Sequence, residues 1–229
     1  MLPHLAAQLP RFLTWHNAAF LLQATGMTLA LSVTGSAVGI LFGGAIAMLR
    51  RTRMQALAPL RALAVLQVEL FRRIPFLVTL FLVFYASQLG GVPLPLFAIA
   101  AVAVSLIATA YLAEIMRAGL DSVHPNQWDG AAVANFSLLQ TLRFVVVPQA
   151  WPVVLPPAFG FFVMFLKDTA LASQIGVVEL TYAGRALNNR GFAPALSFGA
   201  VLLLYFALSY PLARLGRRLE VVLARPLHH

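Results

Sequence analysis

The stretch Ile74–Ala113 reads IPFLVTLFLVFYASQLGGVPLPLFAIAAVAVSLIATAYLA and contains no Asp, Glu, Lys or Arg in 40 residues. A bilayer span needs about 20 apolar residues, so this run is too long for one membrane helix and long enough for two. The glycines and prolines of Gly90–Pro95, GGVPLP, lie near its centre and predict a tight turn. We therefore expect two membrane-spanning helices joined by a short connection.

Three further charge-free segments extend this pattern along the chain. They cover residues 12–49, 144–166 and 191–213. Hydrophobic residues make up 61% of the 229 residues and charged residues only 10%, whereas soluble domains carry about 25% charged residues. These segments predict an all-α integral membrane protein, a single transmembrane domain over 1–229. Its five predicted spans are 19–49, 62–88, 95–118, 148–170 and 194–215.

Basic residues are distributed unevenly between the two ends of these spans. Ten arginines lie on one side: Arg50, Arg51, Arg53, Arg61, Arg117, Arg143, Arg214, Arg217, Arg218 and Arg225. Three lie on the other side: Arg11, Arg185 and Arg190. Because cytoplasmic loops are enriched in Lys and Arg, we expect the N-terminus outside, the C-terminus inside and a cytoplasmic loop at 121–147. The net charge of +9 then reflects membrane topology, and we expect no nucleic-acid binding.

Residues that support catalysis are absent or lack the required spacing. The chain has no cysteine, and Lys167 is its single lysine, so a Gly-Lys-Ser/Thr phosphate-binding loop is impossible. No Ser has Gly two positions before it, which excludes a nucleophile elbow. The five histidines do not have metal-ligand spacing. We therefore expect no metal, no cofactor and no enzymatic activity on this chain, and any ATP to be hydrolysed by another chain.

The predicted cytoplasmic loop has the pattern of two short helices separated by a turn. Pro125 suits the first position of a helix, and residues 127–134 continue it. Asn135 tolerates the left-handed conformation that ends a helix. Ser137 and Gln140 form a Ser-x-x-Gln capping box for a second helix that leads into the fourth span. The pattern indicates either an amphipathic re-entry into the bilayer or a docking element for a partner outside it.

The spacing of this loop resembles the EAA motif of ATP-binding-cassette (ABC) importer permeases. The family pattern is Glu-Ala-Ala, three residues, Gly, nine residues, then Ile-x-Leu-Pro. The corresponding positions here are Asp129-Gly130-Ala131, Asn135 and Val145-Val146-Val147-Pro148. The carboxylate and the turn residue are replaced by chemically similar ones. Gly130 in place of Ala lowers helix propensity by about 1 kcal/mol.

Five further blocks occur in the order found in the polar-amino-acid permeases of the histidine, glutamine and arginine type. Residues 68–75 (VELFRRIP) resemble VELFRGTP of that family, and residues 110–119 (AYLAEIMRAG) resemble AYxAEIxRGG. The remaining blocks are PQA at 148–150 with PP at 156–157, LKDTALA at 166–172 and GVVELT at 176–181. The resemblance therefore covers nearly the whole chain.

This resemblance implies a type I (MetI-like) ABC-importer permease in the lipid of a bacterial cytoplasmic (inner) membrane. It implies a second permease subunit in a homo- or heterodimer and an extracytoplasmic binding protein that delivers a polar amino acid. It also implies a cytoplasmic ATPase dimer that carries ATP and Mg and docks on the loop. The implied coupling residues are Gln127, Asp129, Gly130, Ala131, Asn135, Ser137, Gln140 and Pro148.

Ionisable residues inside the predicted spans are candidates for the substrate pathway, because charges at membrane depth are costly. Glu69, Arg72 and Arg73 are spaced i, i+3, i+4, so a carboxylate can meet a guanidinium on one helix face. Pro75 disfavours helix at Ile74 and predicts a kink or break beside these charges. The structural alternative is that the arginines lie at the interface and extend toward water.

Two more charged clusters are pathway candidates. Glu114 and Arg117 predict either a structural ion pair or a carboxylate that recognises a substrate amine. Lys167 and Asp168 are adjacent, so they do not face each other on a helix and need other partners. Asp168 would pair across the dimer, cap a broken helix with Thr169 or contact the substrate.

Small residues in the first span indicate how it packs against other helices. Gly35, Gly39 and Gly43 form a small-xxx-small ladder that predicts close packing of the first span.

An ion-coupled secondary amino-acid transporter would also contain buried charges and broken helices. However, the sequence shows no internal repeat, and such a carrier does not need the cytoplasmic helix-turn-helix. A non-transporting membrane scaffold would leave the charged clusters unexplained.

Overall fold

The structure, a computed structural model, describes residues 2–52 and 54–223. Arg53, Arg225 and His228–His229, which entered the predictions above, lie outside the described residues. The α-helices, in chain order, are α1 Leu2–Phe12, α2 Trp15–Arg51, α3 Ala58–Arg73, α4 Phe76–Leu89, α5 Leu96–Ser122, α6 Pro125–Val133, α7 Leu138–Thr141, α8 Val147–Asp168, α9 Leu180–Asn189 and α10 Pro194–Leu223. Short 3-10 helices cover Gln55–Leu57 and Thr169–Ile175, and a π-helical turn covers Leu142–Val146.

The helices confirm the prediction of an all-α membrane protein. Within the described residues, four helical segments are long and apolar enough to cross a membrane: Trp15–Arg51, Leu96–Ser122, Leu138–Ile175 and Pro194–Leu223. A fifth candidate is a pair of segments, Gln55–Arg73 and Phe76–Leu89, which meet at an angle of 117°. The described part of the chain thus has four candidate spans, or five if the bent pair is one span.

The bend between α3 and α4 lies at the proline that predicted it. α3 ends at Arg73, and Pro75 precedes α4 with an extended backbone, φ −58° and ψ 141°. Proline lacks a backbone N–H and excludes the helical conformation from the residue before it. The break therefore follows directly from the chemistry of Pro75.

One compact unit is formed by the described parts of Met1–Gly35, Ile74–Ser105 and Val163–Pro211. In one of its apolar clusters, Leu180 and Leu187 of α9 pack with Leu21 of α2 and Val201 of α10. The predicted turn at GGVPLP is confirmed in this unit, where Gly91 joins α4 to α5 with φ 65°. Such a positive φ favours glycine.

The second compact unit is formed by the described parts of Ser36–Arg73, Leu106–Phe162 and Leu212–His229. Its α2 and α5 segments approach closely at glycines. A Cβ at Gly39 would lie 2.8 Å from the Ala108 carbonyl carbon, and one at Gly43 would lie 2.8 Å from the Ala113 backbone nitrogen. The packing predicted from the glycine ladder is therefore confirmed at both positions.

Candidate functional site

The loop after α5 begins with α6, Pro125–Val133. Pro125 occupies the first helical turn, as its sequence position predicted. The N-cap is His124, whose Nδ1 accepts a hydrogen bond from the Asn126 backbone N–H at 3.2 Å. Histidine is not among the favoured N-cap residues, so the sequence did not indicate this role. The cap satisfies one of the backbone donors that a helix start leaves free.

The turn between α6 and α7 has the conformation predicted for Asn135. This residue has φ 56°, the only positive φ among the non-glycine residues that the structure describes. The Phe136 N–H donates to the Ala131 carbonyl, and the Asn135 N–H donates to the Ala132 carbonyl, both at 3.0 Å. These two bonds form a Schellman motif, with Asn135 at the left-handed position where glycine is usual.

The capping box that opens α7 is present in full. The Ser137 backbone N–H donates to Gln140 Oε1 at 2.8 Å, and the Gln140 N–H donates to Ser137 Oγ at 3.4 Å. The Schellman motif at Asn135 and the capping box that starts two residues later, at Ser137, leave the connection few free torsions. The loop is therefore a defined helix-turn-helix.

Helix α7 does not end before the fourth span. It continues through the π-helical turn Leu142–Val146 into α8, and Pro148 is the second residue of α8. Pro148 lacks the N–H that would bond to the Phe144 carbonyl, and its ring would clash with that carbonyl in a regular α-helix. The wider π turn directly before it accommodates the proline without a break.

The outer side of the helix-turn-helix is exposed and partly apolar. The side chains of Val133, Phe136, Leu138, Leu139 and Phe144 are 41–85% exposed, and we call them the loop surface. The predicted coupling residues Gln127, Asp129, Gly130, Asn135, Ser137, Gln140 and Pro148 are also exposed, whereas Ala131 is buried. Contiguous exposed apolar side chains rimmed by polar ones mark interaction sites.

The inner side of the loop is attached to α2 and α8. The Arg51 guanidinium carbon lies 4.4 Å from the centre of the Trp128 ring. The Gln149 side-chain amide donates to Gln127 Oε1 at 3.2 Å. Trp128 also packs against a buried apolar cluster that includes Ala47 of α2 and Val146 of the π turn. A displacement of α6 would therefore act directly on both membrane helices.

The charged cluster around Glu114 is larger than the sequence predicted. The expected pair with Arg117 is confirmed by a hydrogen bond from Arg117 Nε to Glu114 Oε1 at 3.0 Å. Arg50 of α2 donates to the other carboxylate oxygen at 2.9 Å. Arg117 and Arg51 both bind Asp121 as well. Two carboxylates thus connect three arginines from two helices.

The cluster predicted on α3 divides between two partners. Arg73 donates to Glu69 at 2.6 Å, which confirms the expected i,i+4 contact. Arg72 instead lies 3.9 Å from Glu114 Oε2, with its guanidinium carbon 5.8 Å from the centre of the Tyr111 ring. Arg72 therefore belongs to the Glu114 cluster, whereas Glu69 and Arg73 form a more exposed pair.

The third predicted cluster lies in the other compact unit, at the end of α8. Lys167 is exposed, Asp168 is half-buried, and Thr169 is buried with its hydroxyl donating to the Leu166 carbonyl at 2.8 Å. The Asp168 side chain makes no capping hydrogen bond to the 3-10 helix that follows. Of the three roles predicted for Asp168, capping is therefore not observed, and dimer pairing and substrate contact stay predictions.

A buried carboxylate in the same unit was not among the predicted site residues. Glu179 is fully buried and caps α9, accepting hydrogen bonds from the backbone N–H groups of Thr181 and Tyr182 at 2.8 and 2.7 Å. The Tyr205 hydroxyl donates a third at 3.0 Å. Burial raises the pKa of the Glu179 carboxyl, and the hydrogen bonds act in the opposite direction. The available sequence signal was a carboxylate directly before the short helix 180–189, where the helix dipole favours an anion.

Comparison with known proteins identifies the family to which this architecture belongs. The family described as "Binding-protein-dependent transport system inner membrane component" matches residues 35–220. The chain belongs to this family. The permease is 35% identical over 208 residues to the "Probable glutamine ABC transporter permease protein GlnP" of Bacillus subtilis (strain 168), covering 90% of this chain and 94% of that protein. It is 30% identical over 214 residues to the "Glutamine transport system permease protein GlnP" of Escherichia coli (strain K12), covering 91% and 96%.

Solved structures agree with this membership. The permease matches a chain in "Crystal structure of an amino acid ABC transporter with histidines" with a TM-score of 0.79 and 26% identity, covering 90% of this chain and 94% of that one. It matches a chain of the "MetNI methionine ABC transporter" in an inward-facing form with a TM-score of 0.75 and 20% identity, covering 93% and 100%. The second likeness concerns the fold alone.

The family defines what the permease does in general terms. It is a membrane subunit of an ABC importer, a transport component that is not itself catalytic. Permeases of this class work with an ATPase and a binding protein. None of these relatives and structures supports the ion-coupled alternative.

Proposed function

We propose that this permease carries a polar amino acid across a bacterial cytoplasmic membrane into the cell. A separate ATPase dimer, which holds ATP and Mg, powers the import, and an extracytoplasmic binding protein delivers the amino acid. Relatives that match over 90% of the chain are named for glutamine transport, which supports this class of cargo. A second permease subunit, identical or similar, completes the pathway.

The observation that carries the proposal is the rigid loop with its exposed apolar side. The Schellman motif at Asn135 and the capping box at Ser137 fix the geometry of the loop. The loop surface includes Val133 and Leu139, which are 85% and 75% exposed. A protein partner that covers these side chains would gain about 25 cal/mol for each Å² of apolar area removed from water. We assign this partner as the ATPase.

The arrangement of basic residues supports a cytoplasmic position for the loop. Arg51, at the end of α2, stacks on Trp128 of α6, so the basic connection after α2 and the loop occupy the same end of their compact unit. Basic residues concentrate on the cytoplasmic side of membrane proteins. The N-terminus is then outside and the C-terminus inside.

The predicted mechanism is alternating access. Closure of the ATPase dimer on ATP displaces α6 and α7 as a rigid body, and the contacts at Trp128 and Gln127 pass this displacement to α2 and α8. The cavity shared by the two permeases then changes the side to which it opens. Pathway candidates remain Glu69, Arg72, Arg73, Glu114, Lys167, Asp168 and Thr169, with Asp168 the first choice for substrate contact because it is half-buried and caps no helix.

The test uses the complete complex of permease, ATPase and binding protein in proteoliposomes. We expect amino-acid uptake that requires ATP inside the vesicle and no ion gradient. Asp129→Arg reverses an exposed charge on α6. This variant should insert into the membrane and should uncouple the two activities, so that ATP hydrolysis no longer drives uptake. Val133→Asp should weaken recovery of the ATPase with the permease, whereas Val92→Asp, exposed in the α4–α5 turn, should not.

Two results would contradict the proposal. Uptake that proceeds without ATP and follows an ion gradient would identify a secondary carrier. Wild-type transport by both the Asp129→Arg and Val133→Asp variants would remove the docking role from this loop.

A further inference from the structure

The unit that carries the loop contains a cavity of about 750 Å³. The ends of α2, α3 and α5 surround it. Its charged lining consists of Arg50, Arg51, Arg61, Arg117, Glu69 and Asp121. Because Arg51 also stacks on Trp128, the cavity lies at the end of the unit that bears the loop.

Positive charge exceeds negative charge in and beside this cavity. The guanidinium groups are those of Arg50, Arg51, Arg61, Arg72, Arg73 and Arg117, and the carboxylates are those of Glu69, Glu114 and Asp121. The cluster therefore carries a net charge of +3, and five of its six guanidinium groups share the three carboxylates. Arg61, which has no carboxylate partner among the described residues, is itself half-buried. Uncompensated charge at partial burial is costly, so a bound anion would stabilise this arrangement.

Arg61 is the guanidinium most available to an added anion. Within the described residues, no carboxylate lies at ion-pair distance from it, and it donates instead to the Thr52 backbone carbonyl. The planar guanidinium has five donors, so a single bond to a carbonyl leaves most of its donors free. Two parallel N–H groups of this kind match the oxygens of a phosphate.

The remaining wall of the cavity is apolar and follows one face of α3. It consists of Ala58, Ala62, Val65 and Leu66, at spacing i, i+4, i+7 and i+8. Val65 and Leu66 are 37% and 60% exposed, and the two alanines leave space beside the arginines. A ligand that fills the cavity therefore needs an anionic group at one end and an apolar segment at the other.

We propose that this cavity binds an anionic phospholipid. Its phosphate lies against Arg51, Arg61 and Arg117, and its acyl chain follows the Val65–Leu66 face of α3. Basic pockets between membrane helices on the cytoplasmic side suit such headgroups. Glu69 lies about 12 Å farther along α3 than Arg61, and Arg73 neutralises it at 2.6 Å. Soluble phosphate would compensate the charge but would leave the apolar wall exposed, which is why a lipid fits better.

The test compares Ala62→Glu with Ala62→Gln in the complete permease–ATPase complex. Both variants add a side chain of the same size to the cavity wall, and only Glu adds a negative charge. The complexes are purified from nanodiscs that contain phosphatidylglycerol in phosphatidylcholine, and native mass spectrometry counts the retained phosphatidylglycerol. We expect retention by the wild type and Ala62→Gln, and loss by Ala62→Glu.

A second pair of variants tests the phosphate contact directly. Arg61→Gln should raise the phosphatidylglycerol fraction needed for half-occupancy about fivefold, the change that corresponds to about 1 kcal/mol per basic residue. Arg217→Gln, exposed on α10 and outside the cavity, should leave that fraction unchanged.

Three outcomes would overturn the lipid site. Equal lipid retention by Ala62→Glu and Ala62→Gln would show that the cavity holds no anion. Displacement of the lipid by millimolar inorganic phosphate or glycerol phosphate would identify a soluble anion as the occupant. A cross-link from Ala62→Cys to the second permease, without bound lipid, would show that the partner subunit fills the cavity. Lipid retention requires no uptake, so the result is independent of the transport proposal.

Discussion

Arg51 holds Trp128 of the loop and Asp121 of α5 at the same time. Its guanidinium carbon lies 4.4 Å from the centre of the indole ring, and its Nη1 donates to Asp121 Oδ1 at 2.8 Å. The same nitrogen donates to the Leu120 carbonyl at 3.1 Å. One side chain at the end of α2 therefore joins the ends of two membrane helices to the loop that we assign to ATPase docking.

Replacement of Trp128 should loosen this connection. We expect Trp128→Ala to lose a cation–π contact of about 0.5–2 kcal/mol, together with its packing on the apolar cluster around Val146. ATP hydrolysis by the complex should persist while uptake per ATP falls. Trp128→Phe, which keeps a ring face for Arg51, should retain more uptake, and Trp15→Ala, at a residue 80% exposed, should behave as the wild type. Unchanged uptake per ATP in Trp128→Ala would exclude a transmission role for this contact.

The turn at Asn135 predicts a strict order among substitutions. Asn135 has φ 56°, where glycine is unstrained and a residue with Cβ loses about 1–2 kcal/mol. Asn135→Gly should therefore keep or slightly increase the resistance of the loop to limited proteolysis, and Asn135→Ala should reduce it. The opposite order would show that the Asn side chain itself, rather than its tolerance of positive φ, stabilises the turn.

Features that depend on neighbouring residues were predicted correctly from the sequence. The conformation of Asn135, the capping box at Ser137 and the break before Pro75 each arise within a few residues, because backbone sterics and local hydrogen bonds decide them. The Glu69–Arg73 and Glu114–Arg117 pairs follow from helix spacing in the same way. The prediction of several membrane-spanning helices followed from the length of the apolar segments, and the described part of the chain has four or five candidate spans.

Features that depend on distant residues were not predicted. Arg50 and Glu114 are 64 positions apart, and the structure brings them together only through the packing of α2 against α5. The hydrogen bond from Tyr205 to Glu179 likewise joins α10 to the start of α9. The N-cap role of His124 was not predicted for a different reason, because imidazole is an uncommon helix cap.

Close packing at Gly43 predicts a specific loss of stability. Gly43→Ala would place Cβ 2.8 Å from the Ala113 backbone nitrogen, and a backbone neighbour cannot move aside without displacing α5. We expect a loss of about 1–3 kcal/mol, observed as a lower unfolding midpoint in detergent. Gly26→Ala is the matched control on the same helix, because nothing lies within 4 Å of its Cβ. Equal midpoints for the two variants would contradict the close approach of α2 and α5.

Glu179 predicts a pH dependence of stability with a definite sign. Burial raises the pKa of this carboxyl above its ordinary value of 4.5, so the folded protein binds the proton more tightly than the unfolded chain does. The contribution to stability is then present below pH 4.5 and is lost as pH rises through the folded-state pKa. Glu179→Gln should remove this slope from unfolding midpoints measured above pH 4.5. Parallel pH profiles for the wild type and the variant would show that other groups cause the dependence.

Glu114→Gln and Asp168→Asn should differ in which property they change. Glu114 binds Arg50 and Arg117. Its neutralisation leaves the partly buried Arg50 without a carboxylate and Arg117 with Asp121 alone, which should lower the unfolding midpoint. Asp168 makes no capping bond, so Asp168→Asn should keep the midpoint. If Asp168 contacts the amino acid, loss of a charged hydrogen bond should raise KM about tenfold. Wild-type uptake kinetics in both variants would remove both residues from the pathway.

The π-helical turn at Leu142–Val146 has a consequence for the direction in which the loop points. It makes α7 and α8 one unbroken helical run, so the second helix of the loop is continuous with the fourth span. Each residue of an α-helix turns the chain by about 100°. Loss or gain of one residue in this turn would rotate α7 by that angle without changing any side chain at either end. The number of residues between Thr141 and Val147, more than their identity, therefore determines the orientation of the loop about the axis of α8.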